Sequence, residues 1–581
     1  MDKKSVFISI AAAAAATVIA KLAHPFFSAF ELIFIFYFIG CVMYFCLKVK
    51  KDRSQLNVIS FMKLSFFIMM GVAGYSTMTY GQANIHGDAA IATMLARAEV
   101  THRTLLPKTW CYANGDIWIL DTQLAVLPFT LLMKDQAAAR MLGTLVMIVI
   151  GIAGMYLLDR YLLKRDAYLV SLPVILVFMF GGDGALGWGN GHINYQASYT
   201  CWLFFIPVFC ILVYHLFILE TKSKALMAIY FVLASACIAR GVRAIAEIMI
   251  PLFIAYSTYM ISKYGDMEIK KWRKWLLFLA PMLLGCLLYK IICLTHTVNT
   301  SVTSGTVFTD SLYSVFFNAK EVLINMFKVF GYNEGAPLAS IGGAANMVSI
   351  TCCLLLVFCI PFLELRHLGD EDDGVRFFII FCTAHNAEMA ASTILFDKIS
   401  QSHILTFVIV SIMMSSVYVM RYWIGNKRYA FVYGGLFLTA SLIMAAQLGY
   451  ASRGWQGRIE ERRATAEVML EHGLKGSKGY GSFWNIYPLG IYSDLSFDVA
   501  AIGNSDIGIA LTPHLNLVDT DKFIPAQSKS FLLLDYNENQ ELGGDLEEIF
   551  GECMDKFNVG ENYIYVWDYD VAANDFGGRP V

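Results

Sequence analysis

The sequence predicts an all-α polytopic membrane protein with about thirteen transmembrane helices and a small extracytoplasmic α/β domain at its C-terminal end. Of the 581 residues, 57% are hydrophobic and 15% are charged, and mean hydropathy is +0.56. Soluble domains carry about 25% charged residues. Apolar runs of about 18 residues or more, which suffice to cross a bilayer as helices, recur along the chain. No block of basic residues indicates a nucleic-acid partner.

Hydropathy defines the predicted spans. They cover residues 6–22, 27–47, 57–77, 137–158, 167–181, 197–219, 225–239, 245–262, 276–295, 346–365, 375–396, 404–423 and 430–448. The first could also be a signal peptide, but a second apolar run follows almost at once, which favours a retained span. The chain then divides into two N-terminal helices (1–56), a transmembrane core (57–448) and a tail (449–581).

Basic residues in the short loops predict the orientation. With the N-terminus in the cytoplasm, every basic cluster between closely spaced spans falls on the cytoplasmic side. These clusters are Lys48/Lys50/Lys51/Arg53, Arg160/Lys164/Arg165, Lys222/Lys224, Lys263/Lys270/Lys271/Arg273/Lys274, Arg366/Arg376 and Lys427/Arg428. The loops 78–136 and 296–345 and the C-terminal tail are then extracytoplasmic, so we expect the functional site on the outer face.

The tail has the composition of a folded domain. Residues 453–472 form a charged, amphipathic helical pattern. Short apolar runs such as 530–535 and 563–567 follow, separated by Gly, Asn and Asp, as is typical of strands in a small α/β or β domain.

The loop 78–136 holds the residues best suited to chemistry. Its segment HGDAAIATMLARAE places Asp88 at the start of a short helix. Asp88 and Glu99 return to one face of that helix but lie about 16 Å apart along its axis. The carboxylate pair of a glycosidase needs roughly 5–9.5 Å, so the two cannot form one. Asp88 is therefore either a single general base, or a helix N-cap or first-turn acid that stabilises the start of the helix.

Aromatic residues follow in the same loop, in LLPKTWCYANGDIWIL. Trp110, Tyr112 and Trp118 are either membrane-interface anchors or platforms that stack on sugar rings. Asp116 is a candidate cap for the next interfacial helix.

Two arginines lie in CIARGVRAIAEIMIP, at the predicted outer end of a span. A charge at membrane depth is costly and usually pairs with or binds something. Arg240 and Arg243 suit phosphate because of their planar guanidinium groups. The alternative for Arg243 is an ion pair with Glu247, one helical turn later.

Other polar residues give weaker signals. His385, Asn386 and Glu388 lie within a predicted span and are either functional or part of an interhelical network. Cys111 and Cys553 are the two cysteines outside the predicted spans, and a disulfide between them is left open. No metal site or cofactor is predicted, because the three Asp-x-Asp occurrences follow no nucleotide-binding strand pattern.

The chain resembles integral membrane glycosyltransferases of the GT-C fold. The matching stretches are HGDAAIATMLARAE, LLPKTWCYANGDIWIL, GNGHINY and ARGVRAIAEIMIP, within the order span, outer loop with an early Asp, many spans and outer tail. The resemblance is greatest to bacterial enzymes of the inner membrane that add glucose or another sugar to O-antigen or cell-surface polysaccharide.

This resemblance implies a sugar donor linked to polyprenyl phosphate, a glycan acceptor and transfer with inversion. Asp88 would be the general base. Arg240, Arg243, His192 and Lys398 would bind the lipid phosphate. The acceptor or sugar contacts would be Glu99, Trp110, Tyr112 and Asp116. Two other classes remain open, namely a flippase or other transporter for lipid-linked oligosaccharides and a polysaccharide polymerase.

Overall fold

The computed structural model describes residues 29–51, 58–175, 193, 197, 199–265, 272–300, 308–396, 401–424, 453–504, 508–514 and 516–574. Most of these residues are helical. The helices are α1 Ala29–Lys51, α2 Val58–Ser76, α3 Gly87–His102, α4 Thr122–Leu132, α5 Gln136–Leu158, α6 Tyr168–Pro173, α7 Trp202–Val213, α8 Lys224–Ile238, α9 Ile250–Tyr264, α10 Trp272–Thr295, α11 Leu312–Val329, α12 Ile341–Cys353, α13 Ile360–Arg366, α14 Asp373–Leu395, α15 Gln401–Tyr418, α16 Trp455–Glu471, α17 Phe483–Tyr492, α18 Tyr536–Leu542 and α19 Leu546–Phe550. Several are extended by π-helical turns, including Thr77–Gly81, Asp159–Leu163 and Ile245–Met249.

Eight helical stretches in the described residues are long and apolar enough to cross a membrane. They are Glu31–Lys48, Val58–Gly81, Gln136–Leu163, Ile245–Tyr264, Arg273–Thr295, Gly342–Arg366, Asp373–Leu395 and Ile404–Ile424. Each coincides with a span predicted from hydropathy. The membrane character of the chain is therefore supported.

Of the five remaining predicted spans, two contain shorter helices and three lie wholly or partly outside the described residues. Residues 197–219 and 225–239 contain the shorter apolar helices Trp202–Ile218 and Lys224–Ile238. At 1.5 Å per residue these helices are about 22–26 Å long, which is less than the hydrocarbon core of about 30 Å. The spans 6–22 and 430–448 lie outside the described residues, and 167–181 is described only as far as Ile175. The described residues thus show eight candidate spans, and the predicted number of thirteen is not established.

The tail contains the predicted sheet. Its strands are β2 Lys478–Ser482, β3 Asp498–Asn504, β4 Gly508–Pro513, β6 Ser530–Leu534, β7 Asp555–Val559 and β8 Asn562–Trp567. Their order is β4–β3–β2–β6–β8–β7. Strand β2 is parallel to β3 and β6, and the other neighbours are antiparallel. The helical pattern at 453–472 appears as α16, and the run 563–567 lies within β8.

The first loop is joined directly to the tail. Strand β1 (Trp110–Cys111) pairs with β5 (Val518–Asp519) in an antiparallel two-stranded sheet. The backbone N–H of Ile85, which precedes α3, donates to the Tyr492 hydroxyl at 3.0 Å. Helix α17 packs on α3 as well as on the sheet. The loop and the tail therefore form one folded layer.

The segment after α10 joins the same layer. Tyr112 donates its backbone N–H to the Thr297 carbonyl at 2.9 Å, and Asn299 donates its backbone N–H to the Tyr112 carbonyl at 2.7 Å. The three long segments that the sequence placed on one side are thus in contact. Which side of the membrane they occupy stays a prediction.

Candidate functional site

Helix α3 positions Asp88. It begins at Gly87 after the extended residue His86. A Cβ atom at Gly87 would lie 2.5 Å from the Phe483 ring, so only glycine lets the start of α3 lie this close to α17. Asp88 is the acid of the first turn, which is the position that the stabilising alternative also requires. Its role as a base stays a prediction.

The environment of Asp88 is unusual for a surface acid. Its side chain is half-buried, and its carboxylate has no hydrogen-bond partner among the residues that the structure describes. Burial raises the pKa of Asp88 to about 6, because the charged form is poorly hydrated there. A carboxyl group with this pKa changes protonation near neutral pH, as a general base requires.

Arg140 contacts the first turn of α3, at Ala89, and was not singled out from the sequence. Its guanidinium Nε donates to the Ala89 carbonyl at 2.5 Å, and Nη1 donates to Thr144 Oγ1 at 2.6 Å. Burial, followed by the charge of Arg140, lowers the pKa of His86 to about 4, so this imidazole is neutral. An arginine within the apolar stretch 137–158 was the signal that could have identified it.

The two predicted phosphate-binding arginines are held in ion pairs. Arg240 Nη2 pairs with the Asp121 carboxylate, and Arg240 Nη1 donates to the Leu120 carbonyl at 3.3 Å. Arg243 Nε pairs with Glu247, so the helical pair considered from the sequence is present. Nη2 of Arg243 is buried and has no hydrogen-bond partner in the described part of the chain.

Aromatic rings surround these guanidinium groups. The Arg243 guanidinium lies 4.6 Å from the Tyr199 ring centroid, and that of Arg240 lies 5.5 Å from Trp202. Both distances suit cation–π attraction. Arg240 and Arg243 therefore sit in a pocket that is partly aromatic and partly acidic.

Asp116 lies against the turn that carries both arginines. Gly241 has φ +153°, and a Cβ atom there would lie 2.7 Å from the Gly115 carbonyl oxygen, so the close approach requires glycine. Burial raises the pKa of Asp116, and the charges of Arg243 and Arg240 oppose this shift. Asp121, and not Asp116, is the N-cap of α4, where its carboxylate accepts the N–H of Thr122 at 2.7 Å.

The other predicted acceptor contacts are buried. Glu99 is 3% exposed, Trp110 2% and Tyr112 0%, so each side chain is almost fully covered in this arrangement of the loop. Burial raises the pKa of Glu99 to about 7, and the neighbouring Gln123 opposes the shift. The indole N–H of Trp110 and the hydroxyl of Tyr112 have no hydrogen-bond partner among the described residues. Their role as acceptor contacts stays a prediction.

Two predicted site residues, His192 and Lys398, lie outside the described residues. In α14, Asn386 donates to Ser411 Oγ of α15 at 2.8 Å and lies 3.2 Å from His385 Nδ1. This contact is the interhelical network considered for these residues. Cys111 and Cys553 are both free thiols, so the disulfide that the sequence left open is not formed.

Within the described residues, one group of side chains offers metal ligands. His102, Asp519 and Asp521 place one ligand atom each within 4.8 Å of the others. The sequence predicted no metal at this Asp-x-Asp, because it follows no nucleotide-binding strand pattern, and His102 lies far from it in the chain. The contact between α3 and the tail brings the three together.

Comparison with known proteins gives no support for or against any of these roles: no family model, no curated protein and no solved structure matches this chain. The resemblance drawn from the sequence motifs therefore remains an expectation.

Proposed function

We propose that this protein is a membrane glycosyltransferase that moves a sugar from a polyprenyl-phosphate donor to a glycan acceptor. Asp88 is the general base. The observation that carries the proposal is the Asp88 carboxyl group, half-buried in the first turn of α3, without a hydrogen-bond partner among the described residues and with a pKa of about 6.

In the proposed reaction, Asp88 accepts one proton in a single displacement step. The acceptor hydroxyl attacks the anomeric carbon as Asp88 removes its proton. The bond between the anomeric carbon and the phosphate oxygen breaks, and the lipid phosphate leaves with the electron pair. Attack opposite to the leaving group inverts the anomeric centre, and the proton is later released from Asp88 to solvent.

The donor phosphate is assigned to the pocket of Arg240 and Arg243. The unpaired Nη2 of Arg243 is a donor for a phosphate oxygen, and the Tyr199 and Trp202 rings keep the guanidinium groups oriented. Such fixed cations stabilise the charge that develops on a leaving phosphate. The ion pairs with Asp121 and Glu247 reduce the net positive charge, so we expect this pocket to bind one phosphate group and not a pyrophosphate.

The first test changes Asp88 to Asn in the purified full-length chain. Asn keeps the size and polarity but cannot accept the proton. A general base typically contributes about 10²–10⁴ in rate, so we expect transfer from a synthetic polyprenyl-phosphate sugar to fall by that factor. Donor binding and the melting temperature should not fall.

Two variants control this test. Asp135→Asn alters another acid of the same loop, the N-cap of α5, where Asn caps equally well, and it should leave transfer unchanged. Glu99→Gln should reduce transfer much less than Asp88→Asn. Near-normal turnover of Asp88→Asn would remove Asp88 as the base, and loss of transfer only in Glu99→Gln would move the role to Glu99.

The second test addresses the donor pocket. Changing Arg243 alone would strand the Glu247 charge, so the informative variant is the double change Arg243→Gln with Glu247→Gln. It removes the ion pair as a unit. We expect the donor Kd to rise about tenfold or more, as follows from losing a charge-assisted hydrogen bond. An unchanged donor Kd in a folded double variant would show that Arg243 serves only its ion pair.

The same assay separates the rival classes. A transporter moves the intact lipid-linked sugar without breaking the sugar–phosphate bond, and a polymerase transfers an oligosaccharide as a block. Release of lipid phosphate together with the addition of one sugar to the acceptor identifies the proposed reaction.

A further inference from the structure

We propose that His102, Asp519 and Asp521 bind a divalent transition-metal ion that joins the loop helix α3 to the tail. This site is independent of the proposed sugar transfer. It lies on a different part of α3 from Asp88, at the last residue of the helix.

The separations of the ligand atoms fit a single coordination sphere. His102 Nε2 lies 2.9 Å from Asp519 Oδ2 and 3.9 Å from Asp521 Oδ2. With metal–ligand bonds of roughly 2.1 Å, two ligands of one ion lie roughly 3.0 Å apart in octahedral geometry, roughly 3.4 Å apart in tetrahedral geometry and at most roughly 4.2 Å apart. The observed distances therefore need only small adjustments for an ion to enter between the three side chains.

The backbone holds these ligands in place. Thr520 donates its backbone N–H to the Thr109 carbonyl at 2.8 Å and its hydroxyl to the same oxygen at 3.0 Å. Asp519 Oδ1 accepts the Asp521 N–H at 3.3 Å, which leaves Oδ2 facing His102. Thr109 Oγ1, at 3.2 Å from His102 Nε2, is a further oxygen beside the site.

A second observation points to a ligand here. Trp110 pairs in register with Asp519, and directly opposite residues of an antiparallel pair have their side chains on the same face. Both residues line a cleft of about 230 Å³ between α3 and the tail. The Trp110 indole N–H is buried and lacks an acceptor among the described residues. In the proposed site, a water molecule bound to the ion is the acceptor for this N–H.

The ligand types select the class of ion. One imidazole and two carboxylates suit Zn²⁺ or Mn²⁺, whereas Ca²⁺ takes six to eight oxygen ligands and Mg²⁺ is seldom bound through imidazole. Two carboxylates also balance the charge of the ion.

The ion would fasten two parts of the chain that are far apart in sequence. Asp519 and Asp521 belong to the tail, and His102 ends the helix that begins at Asp88. We therefore expect metal binding to raise the melting temperature and to protect the tail from protease, whether or not sugar transfer occurs.

The test uses the full-length chain in detergent, stripped with a chelator and dialysed against Zn²⁺, Mn²⁺, Mg²⁺ or Ca²⁺ in separate samples. We expect about one equivalent of Zn²⁺ or Mn²⁺ by elemental analysis and little Mg²⁺ or Ca²⁺. Asp521→Asn and His102→Gln should each weaken binding at least about tenfold. Asp521 is solvent-exposed, so its variant should fold normally.

Asp498→Asn is the matched control. Asp498 lines the same cleft and pairs with Lys522, but it is not among the three ligands. It should keep full metal binding. The proposal is overturned if the stripped chain takes up no Zn²⁺ or Mn²⁺, if Asp521→Asn binds as tightly as the unchanged chain, or if Asp498→Asn loses the ion equally, which would indicate adventitious binding to an acidic cleft.

Discussion

Buried carboxylates at the two ends of the helical bundle differ in whether they have ion-pair or hydrogen-bond partners. At the end that carries Arg165, the Glu371 carboxylate is paired with two guanidinium groups, those of Arg165 and Arg421. At the end that carries α3, Asp88 has no hydrogen-bond partner among the described residues, and both carboxylate oxygens of Glu99 are buried without a hydrogen bond of good geometry.

The difference fits a structural role for the charges at the first end and the functional role that we propose for Asp88. Pairing at the first end joins the residues after α5, before α14 and after α15, which fixes the loops. Buried polar groups without partners are rare in folded proteins, and acids with a raised pKa concentrate at functional sites. Glu364 at the first end is an exception, because its buried oxygens have no hydrogen bond among the described residues, and Arg165 and Arg421 only partly counteract its burial and the repulsion from Glu371.

The largest expected effect on stability comes from changing Glu371, at the end where the carboxylate is paired with two arginines. Glu371→Gln leaves two guanidinium groups without their carboxylate, and breaking a buried ion pair costs about 3–5 kcal/mol. We expect the free energy of unfolding in detergent to fall by about 3 kcal/mol, because both arginines are partly exposed. Lys263→Gln, which breaks the more exposed pair with Asp373, should cost at most about 1 kcal/mol. Equal effects of the two variants would contradict the assignment of Glu371 as a structural centre.

The second-largest expected effect is an increase in stability, and it is caused by Asp88→Asn. Burial raises the pKa of Asp88 in the folded protein from its ordinary value of 3.8 to about 6, so ionising this carboxyl group opposes folding. Stability is lost as the pH rises from about 4 to about 6, and Asp88→Asn removes that loss. We expect this variant to unfold at a free energy about 1–3 kcal/mol higher at pH 8 and to match the unchanged protein below pH 4.

The same ionisation should govern activity. Transfer by the unchanged protein should rise through about pH 6 and then level off, since only the carboxylate accepts a proton. A lower stability of Asp88→Asn at pH 8 would instead make Asp88 a stabilising first-turn acid.

The smallest effect on stability is expected for a change of Asp116, a buried carboxyl group that also lies near two guanidinium groups. Burial raises its pKa, and the nearby guanidinium groups of Arg243 and Arg240 favour its charge. Because the shift is upward on balance, Asp116→Asn should raise the melting temperature slightly, by less than Asp88→Asn does. A large destabilisation would mean that Asp116 is an essential partner of the arginines, and the two ends would then resemble each other more closely.

The sequence predicted elements that depend on local pattern. Long apolar runs gave eight helices at the expected positions, and the start of the loop helix was placed at Gly87 by its composition. Hydrophobic periodicity is a local property, and helix start signals lie within a few residues of the helix.

Contacts between distant residues could not be predicted. Strand β1 has only two residues, too few for any alternating pattern, and its partner β5 lies in the tail. The burial of Trp110 and Tyr112 follows from that pairing. The ion pair of Arg240 could likewise not be predicted, because its partner Asp121 is 119 residues away in the chain. An (i, i+4) pair such as Arg243–Glu247 was recognised because helix geometry determines it.

The pairing of β1 with β5 also determines when the first loop can finish folding during synthesis. Thr520 and Thr109, which bond beside this pair, are separated by 411 residues. At about 5–20 residues per second, the loop must wait roughly 20–80 s after its own synthesis before the tail emerges. During that interval α3 lacks its contacts with α17, and the surface that surrounds Asp88 is incomplete. If Asp88 acts as proposed, we expect no sugar transfer until the tail has folded against α3, so that partly inserted molecules do not act on the donor.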